Sequence, residues 1–382
     1  MSSFVSRPLL VRSVSILGGA IGFYLPLSVV PLFNERSAGS ATVALLVATV
    51  AGELGTPRLV ARAGYRWALT IGLTLLGLPT LLLLLGPDPA LILAVSVVRG
   101  LGFAICTVAG GALTATLIPP DRRGEGLAFV GLVSGVSGLL ALPAGVWAAQ
   151  RWGFSPVFVV TTVATLLALV SVPALPTRAA VAPESAGILA GLRQPSLNRP
   201  AALFATSTAA VGVLVTYLPL AGAGRPGWTV ALALLVQPAA ATVTRWIAGR
   251  LGDRHGLRRL LAPGLVLSAA GMAALALTDS TAAVVGGALL FGAGFGVLQN
   301  TTLALMYAEA PAGCEDTVSA VWNIAYDLGM AAGAFVAGLT VTSIGYGGTF
   351  LLAGVAMLPA LLLIPAPAVA RGRRAVQPVT TA

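Results

Sequence analysis

The chain has 382 residues, of which 57% are hydrophobic and only 9% are charged, with a formal net charge of +10. Soluble globular proteins keep about a quarter of their residues charged, so this composition excludes a soluble domain. Apolar runs of about 20 residues, the length of a helix that crosses the hydrocarbon core, recur along the whole chain. These runs are apolar on every side, which excludes the alternating strands of a transmembrane β-barrel. The composition therefore predicts an all-α membrane protein.

Twelve transmembrane helices are predicted, numbered as spans 1 to 12 in chain order. Span 1 follows Arg7 and Arg12, which is also typical of a signal peptide. Its apolar run is longer than a usual signal core and has no clean cleavage site of small residues, so an uncleaved first helix is favoured. The spans cover residues about 12–32, 41–60, 67–86, 90–117, 125–149, 156–175, 200–220, 229–248, 258–277, 281–308, 317–341 and 348–366.

All 22 basic residues are arginine. Most of them lie before span 1, in the connections that follow even-numbered spans, or in the C-terminal tail. Arg36, Arg151 and Arg225 lie in connections on the other side. Short Arg-rich loops stay cytoplasmic, so both termini are predicted to be cytoplasmic. The positive net charge then reflects topology and contact with anionic lipid headgroups, and no basic domain outside the membrane is predicted to bind nucleic acid.

The sequence offers little for an enzyme. Cys106 lies within span 4 and Cys314 in a connection, and they form neither a disulfide framework nor part of a metal-ligand cluster. The single histidine is His255, and no nucleophile–base set recurs at one depth. The chain has no Lys and no Gly-x-x-x-x-Gly-Lys-Ser/Thr loop, so ATP is not expected to drive it. We expect no cofactor, no metal and no obligate protein partner.

The chain repeats itself after 192 or 193 positions, which predicts two six-helix halves. Residues 1–175 form the first half and residues 200–368 the second. They are joined by a cytoplasmic linker (176–199) rich in Pro, Ala, Arg and Ser and followed by a cytoplasmic tail (369–382). Four pairs of segments match in order: Tyr24–Leu27 with Tyr217–Leu220, Leu59–Arg66 with Leu251–Arg258, Arg99–Ile105 with Phe291–Val297, and Gly153–Phe158 with Gly345–Phe350.

Two parallel six-helix repeats are the plan of major facilitator transporters. The segment Gly249-Arg-Leu-Gly-Asp-Arg-His-Gly-Leu-Arg-Arg-Leu-Leu261 resembles the motif of this superfamily between helices 2 and 3, which recurs in degenerate form between helices 8 and 9. The counterpart in the first half has Pro57 where the motif has Gly and Ala61 where it has Asp. The resemblance implies the major facilitator fold. The pattern is most similar to proton-coupled drug or metabolite exporters of the bacterial plasma membrane.

The resemblance implies a cytoplasmic gate at this motif. Gly249 would permit close approach of a neighbouring helix, and Gly256 the tight reversal into span 9. In the family, the motif's acid lies at the positive N-terminus of a helix in the other half. Here that acid is Asp253, and the helix is span 5 near Gly124 and Glu125. Arg254, Arg258 and Arg259 could add ion pairs with Asp121 and Glu125, or the arginine cluster could serve only to fix topology.

Arg99 is predicted to take part in coupling. Because arginine stays charged in proteins, we expect Arg99 to face a cavity or a carboxylate. The segment Arg99–Phe103 resembles the helix 4 motif of the superfamily, whose arginine tunes the proton affinity of a nearby acid in proton-coupled exporters. The alternative is an arginine that snorkels to the outer end of span 4.

Two carboxyl groups inside spans are the other predicted coupling residues. A carboxyl group in an apolar surrounding favours its protonated form, so Asp327 in span 11 is a candidate proton carrier. Packing against a neighbouring helix is the alternative. Glu53 lies about two turns deeper in span 2 than Ala61 and could replace the missing acid. A carboxylate at that depth is costly, so it should not face lipid. Arg245 has the near-equivalent position in span 8.

Six further polar or aromatic residues are predicted to line a substrate cavity. Asn323 shares a helix face with Asp327, four residues later, and Tyr326 lies beside it. The full set is Tyr24, Tyr217, Gln299, Asn300, Asn323 and Tyr326.

The leading hypothesis is proton-coupled efflux of a small, largely apolar compound by alternating access. Exporters of this superfamily carry a Gly-rich motif in helix 5 that ends in Gly-Pro-x-x-Gly-Gly. The stretch Leu142-Pro143-Ala-Gly145 matches that motif in part, with Leu142 in place of the first Gly. One alternative is uptake of an organic anion or sugar, with Arg99 as the partner of the anion. Another is a membrane sensor or scaffold that transports nothing.

Overall fold

The computed structural model describes residues 7–118, 123–177, 194–222, 226–310 and 315–364. All regular structure in these ranges is helical, which confirms the prediction of an all-α protein. Short 3₁₀ segments extend or link the helices at Glu35–Ser37, Leu78–Leu85, Leu169–Ala174 and Leu358–Leu363. In chain order the helices are α1 Arg7–Leu27, α2 Val29–Phe33, α3 Ala38–Gly77, α4 Pro89–Leu117, α5 Arg123–Trp152, α6 Phe154–Ala168, α7 Pro195–Ala221, α8 Gly227–His255, α9 Arg258–Leu275, α10 Thr281–Glu309 and α11 Glu315–Met357.

In the described ranges, ten helical segments are long and apolar enough to cross a membrane. Two of them, Glu35–Leu85 and Thr317–Leu363, have 51 and 47 residues. A straight helix of about 50 residues would measure about 75 Å, more than twice the hydrocarbon thickness. Each long segment contains one glycine with a non-helical backbone, Gly64 in α3 and Gly345 in α11. Both segments therefore bend back at a glycine.

Four of the five glycines with positive φ in the described ranges follow the sequence repeat. Gly64 (φ 75°) and Gly256 (φ 90°) are 192 positions apart, as are Gly153 (φ 83°) and Gly345 (φ 69°). An L-residue rarely adopts this backbone region, so glycine is the residue that permits these reversals. The predicted tight turn at Gly256 is therefore present, and its counterparts occur at equivalent places in the other half of the chain.

Close helix packing repeats at the same spacing. A Cβ on Gly100 of α4 would lie 2.1 Å from the carbonyl oxygen of Leu45, and one on Gly292 of α10 would lie 2.1 Å from that of Gln237. Gly292 and Gln237 are each 192 positions after Gly100 and Leu45. The α3–α4 contact and the α8–α10 contact are thus the same helix packing, made twice from equivalent residues.

Prolines in α1 and α7 free backbone carbonyls that other helices use. Pro26 has no N–H for the Gly22 carbonyl, and Arg99 Nη2 of α4 donates to that oxygen at 2.9 Å. Pro219 likewise leaves the Val215 carbonyl free, and Ser28 Oγ donates to it at 2.6 Å. The matching Tyr-Leu-Pro-Leu segments therefore each expose an acceptor, but the donors come from different places.

The molecule has two ends, defined by contacts between helix termini. At the end called here the arginine-rich end, Arg66 donates to the Leu175 carbonyl and Arg258 pairs with Glu309 at 2.6 Å. At the opposite end, called the Glu35 end, Tyr346 donates a hydrogen bond to the carboxylate of Glu35. The helix termini at each end come from both halves of the chain, so this framework encloses the space between the halves.

Candidate functional site: a cavity between the helices

A cavity of about 410 Å³ lies between the helices. Its walls come from α1, α3, α4 and α5 of the first half of the chain and from α7, α8, α10 and α11 of the second. The volume falls in the range of small-molecule binding sites, about 300–1,000 Å³. The lining is mostly apolar with a few polar groups, as expected of such a site.

Aromatic side chains form two opposite walls of the cavity. On the first-half side, Phe23 stacks on Phe103 with ring centroids 3.6 Å apart. On the second-half side, Trp322 stacks at 4.5 Å on Phe204, a buried ring behind the wall. Phe295, 192 positions after Phe103, also lines the cavity. Offset or tilted aromatic faces of this kind bind flat apolar ligands.

Three charged side chains line the cavity: Glu53 of α3, Arg245 of α8 and Asp327 of α11. Asp327 is only 8% exposed, and its charge and that of Glu53 repel each other. Glu53 and Arg245 are 192 positions apart, so equivalent places in the two halves carry opposite charges. Within the described ranges, none of the three forms an ion pair. Their charges are therefore directed at the cavity and not at one another.

The structure brings together most of the predicted site residues. Glu53 and Asp327 share the cavity with four of the six residues predicted to line it. Those four are Tyr24, Gln299, Asn323 and Tyr326.

Tyr217 and Asn300 do not line the cavity, contrary to the prediction. Tyr217 is buried and donates to the Ala334 carbonyl at 3.2 Å, near the Glu35 end. A Cβ on Gly39 would lie 2.4 Å from the Tyr217 hydroxyl, so this side chain fills the closed seam between α3 and α11. Asn300 lies beside Gly249 of α8, and its amide would be 3.7 Å from a Cβ there. Helical spacing in the sequence does not distinguish Tyr217 and Asn300 from the neighbouring residues that do line the cavity.

Arg99 does not line this cavity, and no carboxylate pairs with it among the described residues; it lines a separate cavity of only about 10 Å³, together with Pro26 and Ser96. It is 1% exposed, and its described hydrogen-bond partner is the Gly22 carbonyl. Its Nε atom has no partner among the described residues. The proline at position 26 explains this placement, because the carbonyl that it frees is a strong acceptor for a buried guanidinium. Arg99 thus supports α1 just before Phe23 and Tyr24, which do line the cavity.

The Glu35 end of the cavity is sealed by contacts between the halves. Ser28 of the first half bonds to Val215 of the second, and the hydroxyl groups of Thr42 and Thr216 are 3.1 Å apart. The Glu35–Tyr346 hydrogen bond lies outside these contacts. Three polar contacts and the packed Gly39 therefore close this end.

The cavity is accessible from the arginine-rich end. Thr242, Arg245 and Asn323 line it there and are exposed. Gly135 of α5 also lines the cavity, and a Cβ on it would meet nothing within 4 Å. The described conformation is open at one end and closed at the other.

The predicted gate motif is only partly visible. Asp121 and the side chains of Asp253, Gly124 and Glu125 lie outside the described residues. Arg254 is exposed, and Arg258 pairs with Glu309 of the same half, a partner that the sequence did not suggest. The close helix approach expected at Gly249 is not required, because its nearest neighbour would make only an ordinary contact.

Sequence reasoning missed Arg245 and the non-tyrosine aromatic residues of the cavity as site residues: Phe23, Phe103, Phe295 and Trp322. For three of them the signal was the repeat: Arg245 lies opposite Glu53 in the alignment of the halves, and Phe103 lies opposite Phe295. In the described ranges no three His, Cys, Asp or Glu side chains come together to hold a metal.

Comparison with known proteins gives a consistent family. The sequence profile of the Major Facilitator Superfamily matches residues 9–334 and 230–380. The tetracenomycin C resistance and export protein of Streptomyces glaucescens is 32% identical over 120 residues, which covers 31% of this chain and 22% of that protein. The aligned part is therefore about a fifth of that relative.

Solved structures of transporters share the fold. A POT family transporter in complex with 5-aminolevulinic acid has a TM-score of 0.76, with 13% identity over 94% of this chain and 95% of its own. The nucleoside transporter NupG has a TM-score of 0.72, with 13% identity over 94% of this chain and 98% of its own. At this identity the likeness concerns the fold alone.

Proposed function

We infer that this chain, which belongs to the Major Facilitator Superfamily and is therefore a membrane transporter and not an enzyme, works as an exporter. We propose that it expels a small, largely apolar compound in exchange for protons. The observation that carries this proposal is the cavity, sealed at the Glu35 end and open at the arginine-rich end, with aromatic walls and two inward-facing carboxyl groups. A ligand can enter such a cavity only from the arginine-rich end, until the Glu35 end opens and the arginine-rich end closes.

The proposal includes twelve crossings in two six-helix bundles. The reversals at Gly64 and Gly345 divide each of the two longest segments into a pair of spans. The repeated glycine packing supports two equivalent bundles, residues 1–175 and 200–368. Because arginine-rich loops stay cytoplasmic, the open end and both termini are placed in the cytoplasm, in a bacterial plasma membrane. The described conformation then receives its substrate from inside the cell.

Asp327 and Glu53 are the proposed proton carriers. They line the cavity from opposite halves of the chain, so a proton and a compound reach the same pair of carboxyl groups. Protonation and binding of a compound at the same carboxyl groups exclude each other, which is the requirement for exchange. Arg99 would act on this site indirectly, by supporting the part of α1 that carries Phe23 and Tyr24.

Export is the proposed direction. The partial match of span 5 to the exporter motif favours it, and so does the relative named as a resistance and export protein. The alternative of anion uptake depended on Arg99 as the partner of the anion, and Arg99 does not line the cavity.

The test uses proteoliposomes with an imposed pH gradient and a panel of apolar compounds that begins with tetracenomycin C. We expect movement of at least one compound against its gradient, coupled to proton movement in the opposite direction. Asp327→Asn should abolish gradient-driven transport while retaining exchange of the compound, and Glu53→Gln should weaken the coupling. Asp279→Asn, an exposed acid outside the cavity, is the control. Full gradient-driven transport by Asp327→Asn would overturn the assignment of the proton carrier.

A further inference from the structure

Glu53 and Arg245 present opposite charges to one cavity without pairing. They occupy equivalent positions in the two halves, and both side chains reach the lining. No ion pair joins either of them to another residue in the described part of the chain. Glu53 is half-buried and Arg245 is exposed at the open end, so each charge is free to bind a ligand group of the opposite sign.

Asp327 is the third charged residue of the cavity, and its charge has the same sign as that of Glu53. It is nine-tenths buried and lines the cavity from α11, which packs against α3, the helix that carries Glu53. A positive group between these two carboxylates would remove the repulsion, and a negative group at Arg245 would neutralise the guanidinium. The polar part of the lining therefore matches a ligand that carries both kinds of group.

The aromatic walls define what lies between those two groups. Phe23 and Phe103 form one wall, and Trp322 and Tyr326 the other. A flat aromatic body fits between such faces and gains apolar burial on both sides. The cavity of about 410 Å³ accommodates a compound of two or three fused rings with short polar substituents.

We propose that the transported compound is amphoteric and aromatic, with its basic group between Glu53 and Asp327 and its acidic group on Arg245. This inference rests on the proposed function, because it names the substrate class of the same site. It also gives the exchange a simple basis. The basic group of the compound and the transported proton bind the same carboxylates, so each displaces the other.

Four matched probes test the inference: 6-(aminomethyl)-2-naphthoic acid, its carboxamide, its N-acetyl derivative and the N-acetyl carboxamide. They share one aromatic body and carry, in that order, both charges, the positive charge alone, the negative charge alone, and neither. Binding is measured by titration calorimetry on the purified full chain in detergent at pH 7. We expect the zwitterion to bind about tenfold more tightly than either singly charged probe, since one charged hydrogen bond is lost in each.

Two variants assign each charge to its residue. Arg245→Gln should weaken the zwitterion and the N-acetyl probe about tenfold and leave the amide and the neutral probe unchanged. Glu53→Gln should do the reverse, weakening the zwitterion and the amide. Arg151→Gln, an exposed arginine outside the cavity, should change nothing.

Equal affinity for all four probes, or no binding of any of them, would overturn the inference. So would equal weakening of the neutral probe by Arg245→Gln, which would indicate a structural role. Because binding is measured at equilibrium without a gradient, failure of proton exchange in proteoliposomes would count against the proposed function alone.

Discussion

The two ends of the seam between α3 and α11 differ in chemistry. At the Glu35 end, Gly39 packs against Tyr217 and the Ala334 backbone, and little space remains. Toward the arginine-rich end, the same two helices carry Glu53 and Asp327, and the cavity lies between them. Apart from the outermost Glu35–Tyr346 hydrogen bond, the closed end is held by close backbone approach and neutral hydroxyl groups, whereas the charges that line the cavity lie toward the open end. The comparison indicates that the seal can form without the charges, which remain available for ligand and proton.

Breaking the seal at Gly39 should have the largest effect. In Gly39→Val, the first side-chain carbon alone would lie 2.4 Å from the Tyr217 hydroxyl and 2.8 Å from the Ala334 carbonyl oxygen. Overpacking of this kind costs about 1–3 kcal/mol, so transport in proteoliposomes should fall about tenfold or more. Gly55→Val in the same helix is the matched control, because a Cβ there meets nothing within 4 Å. Similar losses in both variants would contradict the comparison.

Removal of Arg99 should have the next largest effect. Arg99→Leu leaves the buried Gly22 carbonyl without a donor, which costs about 1–3 kcal/mol in thermal unfolding measured in detergent. In a Pro26→Ala background, residue 26 regains an N–H that can bond to Gly22. The Arg99→Leu change should then cost at least about 1 kcal/mol less. A double-mutant cycle with no coupling between the two positions would show that the freed carbonyl does not hold Arg99 in place.

Ser28→Ala should loosen the seal to a smaller degree. It removes the 2.6 Å hydrogen bond to the Val215 carbonyl, worth about 1 kcal/mol or a fivefold shift toward opening at the Glu35 end. The measurement is the rate of maleimide labelling of a cysteine at Thr242, from the side of the Glu35 end. Ser13→Ala is the control, because Ser13 bonds only to Leu9 within its own helix.

The Arg258–Glu309 pair should contribute least. Its side chains are 38% and 24% exposed, and such pairs contribute less than about 1 kcal/mol. Arg258→Gln should therefore leave the unfolding temperature nearly unchanged and should not alter labelling at Thr242. A large change in labelling would show that this pair gates the arginine-rich end after all.

Much of the fold and part of the site follow from the sequence. Polar residues inside apolar runs have few places to lie, so Glu53 and Asp327 could be assigned to the interior of the protein. The family and the all-helical fold were predicted from the span pattern and the motif at Gly249–Leu261; the family match confirms the first and the helices of the structure confirm the second. The number of crossings and the division into two bundles remain proposals.

The remaining differences between the predicted and the observed cavity residues arise because the two halves, although repeated in sequence, have different surroundings in the structure. Tyr24 and Tyr217 lie in matching segments, but one lines the cavity and the other fills the seal. A conformation closed at one end gives equivalent residues different surroundings, and no pattern in a single sequence encodes which end is closed. Aromatic residues such as Phe103 were missed because they fit a lipid face as well as a cavity wall.

The central claim is that the cavity is reached from the cytoplasm and sealed from outside. Its most direct test is labelling of Thr242→Cys by a membrane-impermeant maleimide, in a chain with Cys106→Ser and Cys314→Ser, in right-side-out and inside-out membrane vesicles. We predict rapid labelling in inside-out vesicles and at least about tenfold slower labelling in right-side-out vesicles, with Gly39→Val abolishing that difference. Faster labelling from the outer face of the unmodified seal would contradict the account.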